Sequence, residues 1–280
     1  MPTDADLDDL VEVLTDYYAT SGRHDMQWRL PEQDGSFDPY KILVSELMLQ
    51  QTQVSRVTPK FTAFITAFPA VQDLASAQLG TVLRQWSGLG YNRRAKYLWQ
   101  AAQMVGGQLE GVFPHQYSQL LELPGVGPGT AGAIMAYSYD QPVVYLETNI
   151  RSVIIYHGFR ENLMVHDKDI RLVVQRLLTR AGLRSDLTPR TFYWAMMDYG
   201  SYLKRTVGNH NRASASYSKQ STFVGSRRQL RGAIIRQLSA AAVDLQVLKS
   251  GLQDERIESV IDDLISEGLV KRRGNLLALY

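Results

Sequence analysis

Apolar residues recur at helical spacing through most of the first 200 residues, and this periodicity constrains the fold more than any other feature. Turn signals such as SG, GLG and FP separate the periodic segments, which include DLDDLVEVLTDYYATSG, PYKILVSELMLQQTQVSRVTPKFTAFITAF and RRAKYLWQAAQMVGGQ. No alternating strand pattern occurs before residue 268. We therefore predict a mainly α protein whose core of medium-length helices covers residues 1–203.

The pattern changes beyond residue 203. Residues 204–225 are rich in Ser, Asn and basic side chains, which favours a basic linker or extended arm. In residues 226–280 we predict a helix in SRRQLRGAIIRQLSAAA, a short connection in VLKSGLQ, a helix in DERIESVIDDLISEG and two strands around an RGN turn. This order is typical of a winged-helix module, and a small cap that only packs on the core is the alternative.

Composition excludes several classes of protein. With 45% hydrophobic and 21% charged side chains, the chain is neither disordered, collagen-like nor a coiled coil. It has no cysteine, so it can form no disulfide, cysteine-held zinc site or iron–sulfur cluster and has no thiol nucleophile. The N-terminus is acidic and lacks a signal-peptide pattern, and no apolar run approaches about 18 residues. We expect a soluble, cytoplasmic protein associated with the nucleoid.

Charge is distributed unevenly along the chain. Residues 1–40 carry 2 Lys or Arg against 10 Asp or Glu, whereas residues 200–280 carry 13 against 7. No acidic residue occurs from Gly200 to Val243. This asymmetry favours a polyanionic partner, and a solvated basic surface without a partner is the alternative.

The segment LLELPGVGPGTAGAIMAYSY, residues 120–139, predicts two helices joined by a tight hairpin. We expect the first helix to end at Leu123 and the second to begin near Thr130. Backbone amides at the start of the second helix would bind a phosphate oxygen without specifying a base. The predicted DNA-backbone contacts of this helix–hairpin–helix are Gly125, Val126, Gly127, Gly129 and Thr130.

Several further motifs follow one another in a familiar order. They are SELMLQQTQV at 45–54, WSGLGYNRRAKYL, FPHQYSQLLELPGVG and LETNIRSV. In this order the chain resembles the base-excision DNA glycosylases of the helix–hairpin–helix (HhH-GPD) superfamily, and especially the MutY-like adenine glycosylases, over residues 20–200. The resemblance implies a two-lobed core, with a six-helix lobe that carries the hairpin and a second lobe from the N-terminus and residues 150–203. It also implies that the partner is double-stranded DNA containing a mispaired or damaged base.

The resemblance implies a pair of catalytic carboxylates. Glu46 matches the residue that protonates the departing purine and helps deliver water, and we expect its apolar surroundings to raise its pKa. Glu147 stands where the family has an Asp that stabilises the cationic sugar. Its extra methylene displaces the carboxylate, and such a displacement can cost roughly a hundredfold in rate. Asn149 matches the family's asparagine and would hold Glu147 or a nearby phosphate.

Gly129 bears on the type of chemistry. Endonuclease III relatives carry a lysine at the matching position, whose amine forms a Schiff base with the sugar. Because Gly129 has no amine, we predict a monofunctional glycosylase that leaves an abasic site and has no strong lyase activity.

The same resemblance implies a set of substrate contacts. Amide and hydroxyl side chains would enter the duplex near the flipped base, and Tyr91 would act as an aromatic wedge. A pocket edge with an acidic residue would recognise the purine. For Tyr91, Trp28 and Asp198, purely structural roles are the alternative. The predicted substrate-binding residues are Arg23, Trp28, Arg29, Leu49, Gln50, Gln51, Thr52, Tyr91 and Asp198.

Two features of the family are absent from this sequence: the four cysteines of an iron–sulfur cluster and the C-terminal domain that recognises 8-oxoguanine. We therefore predict no such cofactor and no side-chain metal site, with at most a Na⁺ or K⁺ ion on hairpin carbonyls near Leu123 and Gly125. Basic residues would contact DNA in the cluster's place, in a monomeric protein. These residues are Lys204, Arg205, Arg227, Arg228 and Arg231.

The leading hypothesis is excision of adenine opposite guanine or 8-oxoguanine. Two alternatives remain: the same scaffold acting on another mispaired or modified base, and a catalytically weak DNA-binding protein.

Overall fold

The computed structural model describes residues 1–160, 164–184, 186–219 and 222–280, and it confirms the predicted mainly α fold. The chain divides into two compact units. Unit 1 comprises Met1–Ile42, His115–Leu121 and Val126–Lys219. Unit 2 comprises Leu43–Pro114, Glu122–Gly125 and residues 220–280.

Unit 1 contains helices α1 (Asp4–Ser21), α7 (Tyr117–Leu120), α8 (Pro128–Tyr139), α9 (Thr148–Gly158), α10 (Asp167–Ala181) and α11 (Pro189–Thr206). Most helices of unit 1 pack on α11, the last of them in the chain. Helix α11 packs on α1, α8, α9 and α10. Gly200 permits the approach of α9, because a Cβ atom there would lie 2.5 Å from the carbonyl oxygen of Asn149.

Helix α2 (Pro39–Leu49) begins in unit 1 and continues into unit 2. The other helices of unit 2 that precede the C-terminal module are α3 (Val54–Ala67), α4 (Val71–Ser76), α5 (Leu79–Trp86) and α6 (Arg93–Gln103). A short π-helix, Met104–Gln108, extends α6. Trp86 is fully buried, and its indole N–H donates to the carbonyl of Gly90 over 3.1 Å. This bond fixes the loop between α5 and α6.

The C-terminal module has the winged-helix order of elements. It consists of α12 (Arg227–Ala240), β1 (Val243–Asp244), α13 (Leu245–Leu252), α14 (Ile257–Ser266), β2 (Val270–Arg273) and β3 (Leu276–Leu279). The strands form an antiparallel sheet in the order β1-β3-β2. Within unit 2, α12 and β3 pack on α5, and the amide of Gly80 donates to the carbonyl of Tyr280 over 2.9 Å.

Two local predictions for this module need correction. The expected short connection VLKSGLQ lies in helix α13, whose first turn is capped by the Asp244 side chain accepting from the amide of Gln246 at 2.7 Å. Strand β1 was not predicted, because two residues are too few to show an alternating pattern.

The predicted basic linker, 204–225, begins in regular structure. Lys204 and Arg205 occupy the last turn of α11, and a 3₁₀ turn follows at His210–Ala213. Ser214 then forms a parallel bridge with Val165. Residues 220 and 221 of this segment lie outside the described residues. In the described part of the chain, no helix is long and apolar enough to cross a membrane.

Candidate active site

Glu147 caps the N-terminus of α9 in unit 1. Its Oε1 accepts hydrogen bonds from the amides of Asn149 at 2.6 Å and Ile150 at 3.2 Å. Glutamate is not among the preferred N-cap residues, and the shorter aspartate normally makes these bonds. The longer side chain therefore binds the same first-turn amides that an aspartate would bind.

The environment of Glu147 acts on its ionisation in two directions. Burial raises the pKa of the carboxyl above its usual value, and it outweighs the hydrogen bonds from Asn149 and Ile150, which lower the pKa. The positive charge of Arg151 also lowers it, but that guanidinium is held by Asp167 over 2.7 Å. The amides thus orient the carboxylate, and burial leaves its charged form poorly solvated. A carboxylate in this state is well placed to stabilise a positive charge that develops nearby.

Asn149 belongs to the first turn of α9, directly after the cap. Its Nδ2 lies 4.0 Å from the Sδ of Met197, a residue of α11. Its backbone lies against Gly200 in the same helix. Helix α11 therefore packs against both the backbone and the amide group of Asn149.

Asp198, also on α11, lies at the centre of a buried ionic cluster. Arg29 donates to its two oxygens over 2.8 and 2.9 Å, and Arg23 donates through its amide and its guanidinium over 2.5–2.8 Å. Burial raises the pKa of the Asp198 carboxyl, but the hydrogen bonds and charges of the two arginines outweigh it and hold the pKa below its usual value. The arrangement brings three predicted pocket residues together and directs both carboxylate oxygens to arginine.

Aromatic side chains lie beside this cluster. The guanidinium of Arg29 lies 5.5 Å from the ring centroid of Trp194, which stacks on Tyr137 at 5.8 Å. Trp28, predicted at the pocket edge, is only 5% exposed. Its burial fits the structural role that we gave as the alternative.

Glu46 lies on α2 in unit 2. Its side chain is half-buried between residues whose side chains are almost fully buried, Ser45 on one side and Leu47 and Met48 on the other. The helix ends at Leu49. Gln50, Gln51 and Thr52 follow in a turn in which Gln51 has a φ of 55°, a conformation that non-glycine residues rarely adopt.

Arg94 organises this turn, although it was not among the predicted site residues. One nitrogen of its guanidinium donates to the carbonyls of Leu47 at 2.5 Å and Gln50 at 2.6 Å. Its other terminal nitrogen donates to the carbonyls of Leu89 and Gly90 at 3.4 and 3.1 Å. A single buried cation therefore joins the end of the α2 helix to the loop that carries the predicted wedge.

Tyr91, the predicted wedge, is exposed to solvent. Tyr91 is 37% exposed and has a φ of 48°. The guanidinium of Arg94 lies 5.3 Å from the centroid of the Tyr91 ring. Burial lowers the pKa of this guanidinium to about 10, so Arg94 stays charged at neutral pH. The one sequence signal for Arg94 was its place in the motif GLGYNRR, where two adjacent arginines look alike.

The hairpin has the predicted turn but different helix bounds. Helix α7 ends at Leu120 rather than Leu123, and α8 begins at Pro128 rather than near Thr130. Gly125 has a φ of 79°, and a Cβ atom there would lie 2.6 Å from the Cβ of Tyr97.

The start of α8 has the features of an anion site. Gly127 is its N-cap and supplies no side-chain hydrogen bond, and Pro128 at the first position has no N–H. The next amide, that of Gly129, has no intrahelical acceptor at this end of the helix. Val126, predicted as a DNA contact, is 7% exposed, so only its backbone could serve.

The predicted basic DNA contacts differ in their surroundings. Lys204 and Arg205 are exposed at the end of α11. Arg227 pairs with Asp263 over 2.6 Å, and Arg231 pairs with Glu267. Arg228 donates to the hydroxyl of Tyr91.

An iron–sulfur cluster does not fit these residues, because the sequence offers no cysteine to hold it. Among the described residues there is also no group of three or more His, Asp or Glu side chains that could hold a metal ion. In this respect the chain departs from the family that its motifs resemble.

Comparisons with known proteins identify the family of this chain. Residues 44–190 match the family model described as HhH-GPD superfamily base excision DNA repair protein. A solved thermostable thymine-DNA glycosylase shares the fold, with a TM-score of 0.59, 23% identity, and coverage of 71% of this chain and 87% of that one. The chain belongs to the HhH-GPD superfamily, a family of base-excision DNA glycosylases.

Within that family the chain is similar to proteins named adenine DNA glycosylase. The relative from Mycolicibacterium smegmatis is 32% identical over 286 residues, which cover 94% of this chain and 92% of the relative. The relative from Buchnera aphidicola subsp. Baizongia pistaciae is 36% identical over 152 residues, which cover 54% of this chain. That match spans less than half of the Buchnera protein, 42% of its length.

Proposed function

We propose that the protein is a monofunctional DNA N-glycosylase that excises adenine opposite guanine or 8-oxoguanine and leaves an abasic site. The observation that carries the proposal is the hydrogen-bonded carboxylate of Glu147 at the start of α9, in the position where the resembling family has its catalytic aspartate. The similarity to adenine DNA glycosylases over 94% of the chain supports the choice of base.

The two carboxylates have different tasks in this mechanism. Glu46 donates a proton to the purine, so that the bond between the base and the sugar carbon breaks with its electron pair leaving on the base. The sugar becomes an oxocarbenium ion, and the ionised Glu147 stabilises its positive charge. Water then adds to the sugar carbon and gives up a proton to Glu46, which restores the enzyme.

The proposal that the enzyme has no strong lyase step depends on Gly129. A lysine at this position would supply an amine, whereas glycine supplies none. We infer that the abasic site is the final product.

Incubation of the protein with duplexes that each carry one mispair or lesion, followed by alkali cleavage and chromatography of the released base, tests this function. Release of adenine alone supports the proposal. If none of the duplexes loses a base, the protein is not a glycosylase. The Glu46→Gln variant should bind the same duplexes but release no base.

A specific observation favours a second candidate, the same chemistry on another base. Arg23 and Arg29 occupy both oxygens of Asp198, the residue expected to recognise the purine. Because these oxygens are already bonded, Asp198 offers adenine fewer hydrogen-bond acceptors than the resemblance implies. The pocket would then distinguish adenine from other bases less strongly. Release of a different base in the same duplex panel identifies this candidate.

A further inference from the structure

Tyr91 adopts a backbone conformation that its own side chain disfavours. It lies in the loop of residues 87–92 that joins α5 to α6, which we call the wedge loop. Its φ is 48°, directly after Gly90 with a φ of 72°. Glycine adopts such angles without a Cβ clash, whereas in other residues they cost free energy that surrounding contacts must offset. The neighbours of Tyr91 should therefore explain why this conformation is stable.

Arg94 provides part of this support from the first turn of α6. Its backbone amide donates to the carbonyl of Tyr91 over 2.9 Å, and its guanidinium lies over the Tyr91 ring. The indole of Trp86, at the end of α5, donates to the carbonyl of the preceding residue, Gly90. These contacts hold the backbone of the wedge loop and one part of the ring, while the hydroxyl group lies at the far end of the side chain.

Packing alone does not fix the Tyr91 ring. A cavity of about 660 Å³ lies beside it within unit 2, and Gly88 of the wedge loop and Gly232 of α12 are among the lining residues. The side chain is also partly exposed to solvent. A ring that borders a cavity and solvent has fewer van der Waals contacts to oppose its rotation than a core side chain has. Polar contacts should therefore determine where this ring lies.

Helix α12 of the C-terminal module supplies such a contact. The guanidinium of Arg228 donates to the hydroxyl of Tyr91 and lies 5.6 Å from the centroid of its ring. The same guanidinium lies 6.0 Å from the ring centroid of Phe223. A charged donor makes a strong hydrogen bond, and a cation is attracted to the face of an aromatic ring. One side chain of α12 thus binds both the ring and the hydroxyl of the predicted wedge.

The start of α12 holds Arg228 in place. Ser226 is the N-cap residue, and its hydroxyl accepts from the amide of Gln229 at 3.3 Å and donates to the carbonyl of Phe223 over 2.6 Å. The side chain of Gln229 accepts from the amide of Gly225 at 2.6 Å. Such capping bonds oppose fraying of the first helical turn. Arg228 therefore reaches Tyr91 from an ordered backbone.

The module is also anchored to the helices on both sides of the wedge loop. In α5, before the loop, the amide of Gly80 donates to the carbonyl of Tyr280. In α6, after the loop, the ammonium of Lys96 donates to the carbonyl of Glu267 over 2.5 Å. The module therefore contacts both ends of the framework that carries Tyr91, as well as the tip of its side chain.

We propose that Arg228 is a positioning residue for the wedge, and that the C-terminal module holds Tyr91 in the conformation in which it enters the duplex. A side chain that is already ordered loses less conformational entropy on binding, so the target base is extruded faster. The proposal rests on the proposed function in that Tyr91 acts on duplex DNA. It assigns to the module a task that requires no recognition of a base by the module itself.

Amide hydrogen exchange of the free protein, read by mass spectrometry on the peptide that contains the wedge loop, tests the contact without DNA. Arg228→Gln removes the charged donor, and Tyr91→Phe removes its acceptor. We expect each change to increase exchange in the wedge loop about threefold or more, because loss of a charge-assisted hydrogen bond favours local opening.

Arg272→Gln is the matched control. This exposed arginine of the same module donates to the carbonyl of Gly274 over 2.8 Å, within the turn between β2 and β3. Its replacement changes the net charge by the same amount and should leave exchange in the wedge loop unchanged.

Stopped-flow fluorescence of a duplex with 2-aminopurine beside an adenine opposite 8-oxoguanine measures base extrusion. We expect Arg228→Gln to slow the fluorescence rise about tenfold when residue 91 is Tyr, but at most about threefold when it is Phe, since both changes remove the same hydrogen bond. Anisotropy of the same duplex over a series of KCl concentrations should give one salt slope for Arg228→Gln and Arg272→Gln, because Arg228 contacts Tyr91 rather than a phosphate.

Equal exchange in the wedge loop of Arg228→Gln and Arg272→Gln overturns the proposal, even if the wild type excises a base. An equal loss of extrusion rate on Arg228→Gln with and without the Tyr91 hydroxyl also overturns it, and a salt slope smaller by about 1 would then identify Arg228 as a phosphate contact. Hydrogen exchange requires neither DNA nor base release. A protein with the expected exchange that releases no base from any duplex would therefore refute the proposed function while the support of Tyr91 by Arg228 stands.

Discussion

Arg29 donates hydrogen bonds to both carboxylate oxygens of Asp198, over 2.8 and 2.9 Å, and both side chains are almost completely buried. Placing a charge in the interior is costly unless a partner and hydrogen bonds compensate for it. Arg23 completes the compensation from the exposed side of the cluster. Because its oxygens are already bonded, Asp198 serves first to hold the segment around Arg23 and Arg29 against α11.

Replacement of Asp198 by Asn should therefore destabilise the protein. Two arginines would lose their counter-charge, and removing one partner of a buried ion pair costs about 3–5 kcal/mol. Urea unfolding followed by circular dichroism measures the change. The exposed pair of Arg184 and Asp186 provides the control, since Asp186→Asn should leave the unfolding midpoint unchanged. If Asp198→Asn unfolds like the wild type and only weakens substrate binding, Asp198 contacts the base instead.

The length of the side chain at position 147 should affect the rate more than the stability. Aspartate is a good N-cap, so Glu147→Asp should keep the free energy of unfolding within about 0.5 kcal/mol. Its carboxylate would retreat by about one carbon–carbon bond, which should slow base excision by about 10- to 100-fold. Single-turnover excision and urea unfolding of the same preparation measure the two effects. An Asp variant as fast as the wild type would show that the pocket does not require the longer side chain.

The raised pKa of Glu147 has a consequence for pH dependence. The mechanism requires the ionised carboxylate, so the excision rate should fall as pH decreases through the raised pKa, at a higher pH than for an ordinary glutamate. Single-turnover rates measured across the acidic range test this expectation. Glu147→Gln has no carboxyl to titrate at this position. Its excision rate should be much lower and should not show this decrease at acidic pH. An unchanged acidic limb in the residual rate would assign the titration to another group.

The raised pKa of Glu147 affects the stability of the fold with the opposite pH dependence. Since the folded-state pKa of Glu147 lies above its unfolded value, the folded protein binds more protons, and this carboxyl's contribution to stability decreases as pH rises through that range.

Arg94 should be more important for stability and activity than its neighbour Arg93. Arg94→Lys would leave several buried carbonyls without a donor, because an ammonium group cannot reproduce the fork of a guanidinium. We expect a loss of at least ~2 kcal/mol in the free energy of unfolding and slower excision, since the turn after Glu46 would lose its support. Arg93→Lys is the matched control, because that side chain is exposed and forms a long ion pair with Glu267, at 3.7 Å. Similar behaviour of the two variants would refute the role of Arg94.

Gly129→Lys should introduce a Schiff-base step. A Cβ atom at this position meets only the carbonyl oxygen of Leu146, at 3.8 Å, so a side chain can be accommodated. With an amine at the start of α8, borohydride should trap a covalent complex with DNA containing an abasic site. The wild type and Gly129→Gln should give no trapped complex. A trapped wild-type complex would contradict the proposal of monofunctional chemistry.

Several elements could be predicted because their signals are local. The glycines of the hairpin predicted the turn, in which Gly125 adopts a positive φ. The helical spacing of apolar residues predicted most of the helices. The bounds of α7 and α8 were less accurate, because helix ends depend on caps and neighbours that periodicity does not describe. Helix α13 was missed as a helix, because eight residues with a short apolar pattern resemble a loop.

The partners of the site residues could not be predicted in this way. The sequence suggested that Asp198, Arg23 and Arg29 belong to one pocket, but it could not show that the carboxylate is already paired with both arginines. Arg94 and Arg93 are adjacent and chemically identical in the sequence. Packing against Trp86 buries the first, while the second stays exposed.

The sequence by itself determined the class of fold, the family and the absence of cysteine ligands, because these depend on periodicity, motif order and composition. Only the tertiary structure decided which charged groups pair with one another and which lie beside a cavity. Arg227 and Arg228 are neighbours in the chain, yet one pairs with Asp263 and the other lines a cavity beside Tyr91. Charge compensation depends on distances between residues that are far apart in the chain, and the pattern of a single sequence does not contain them.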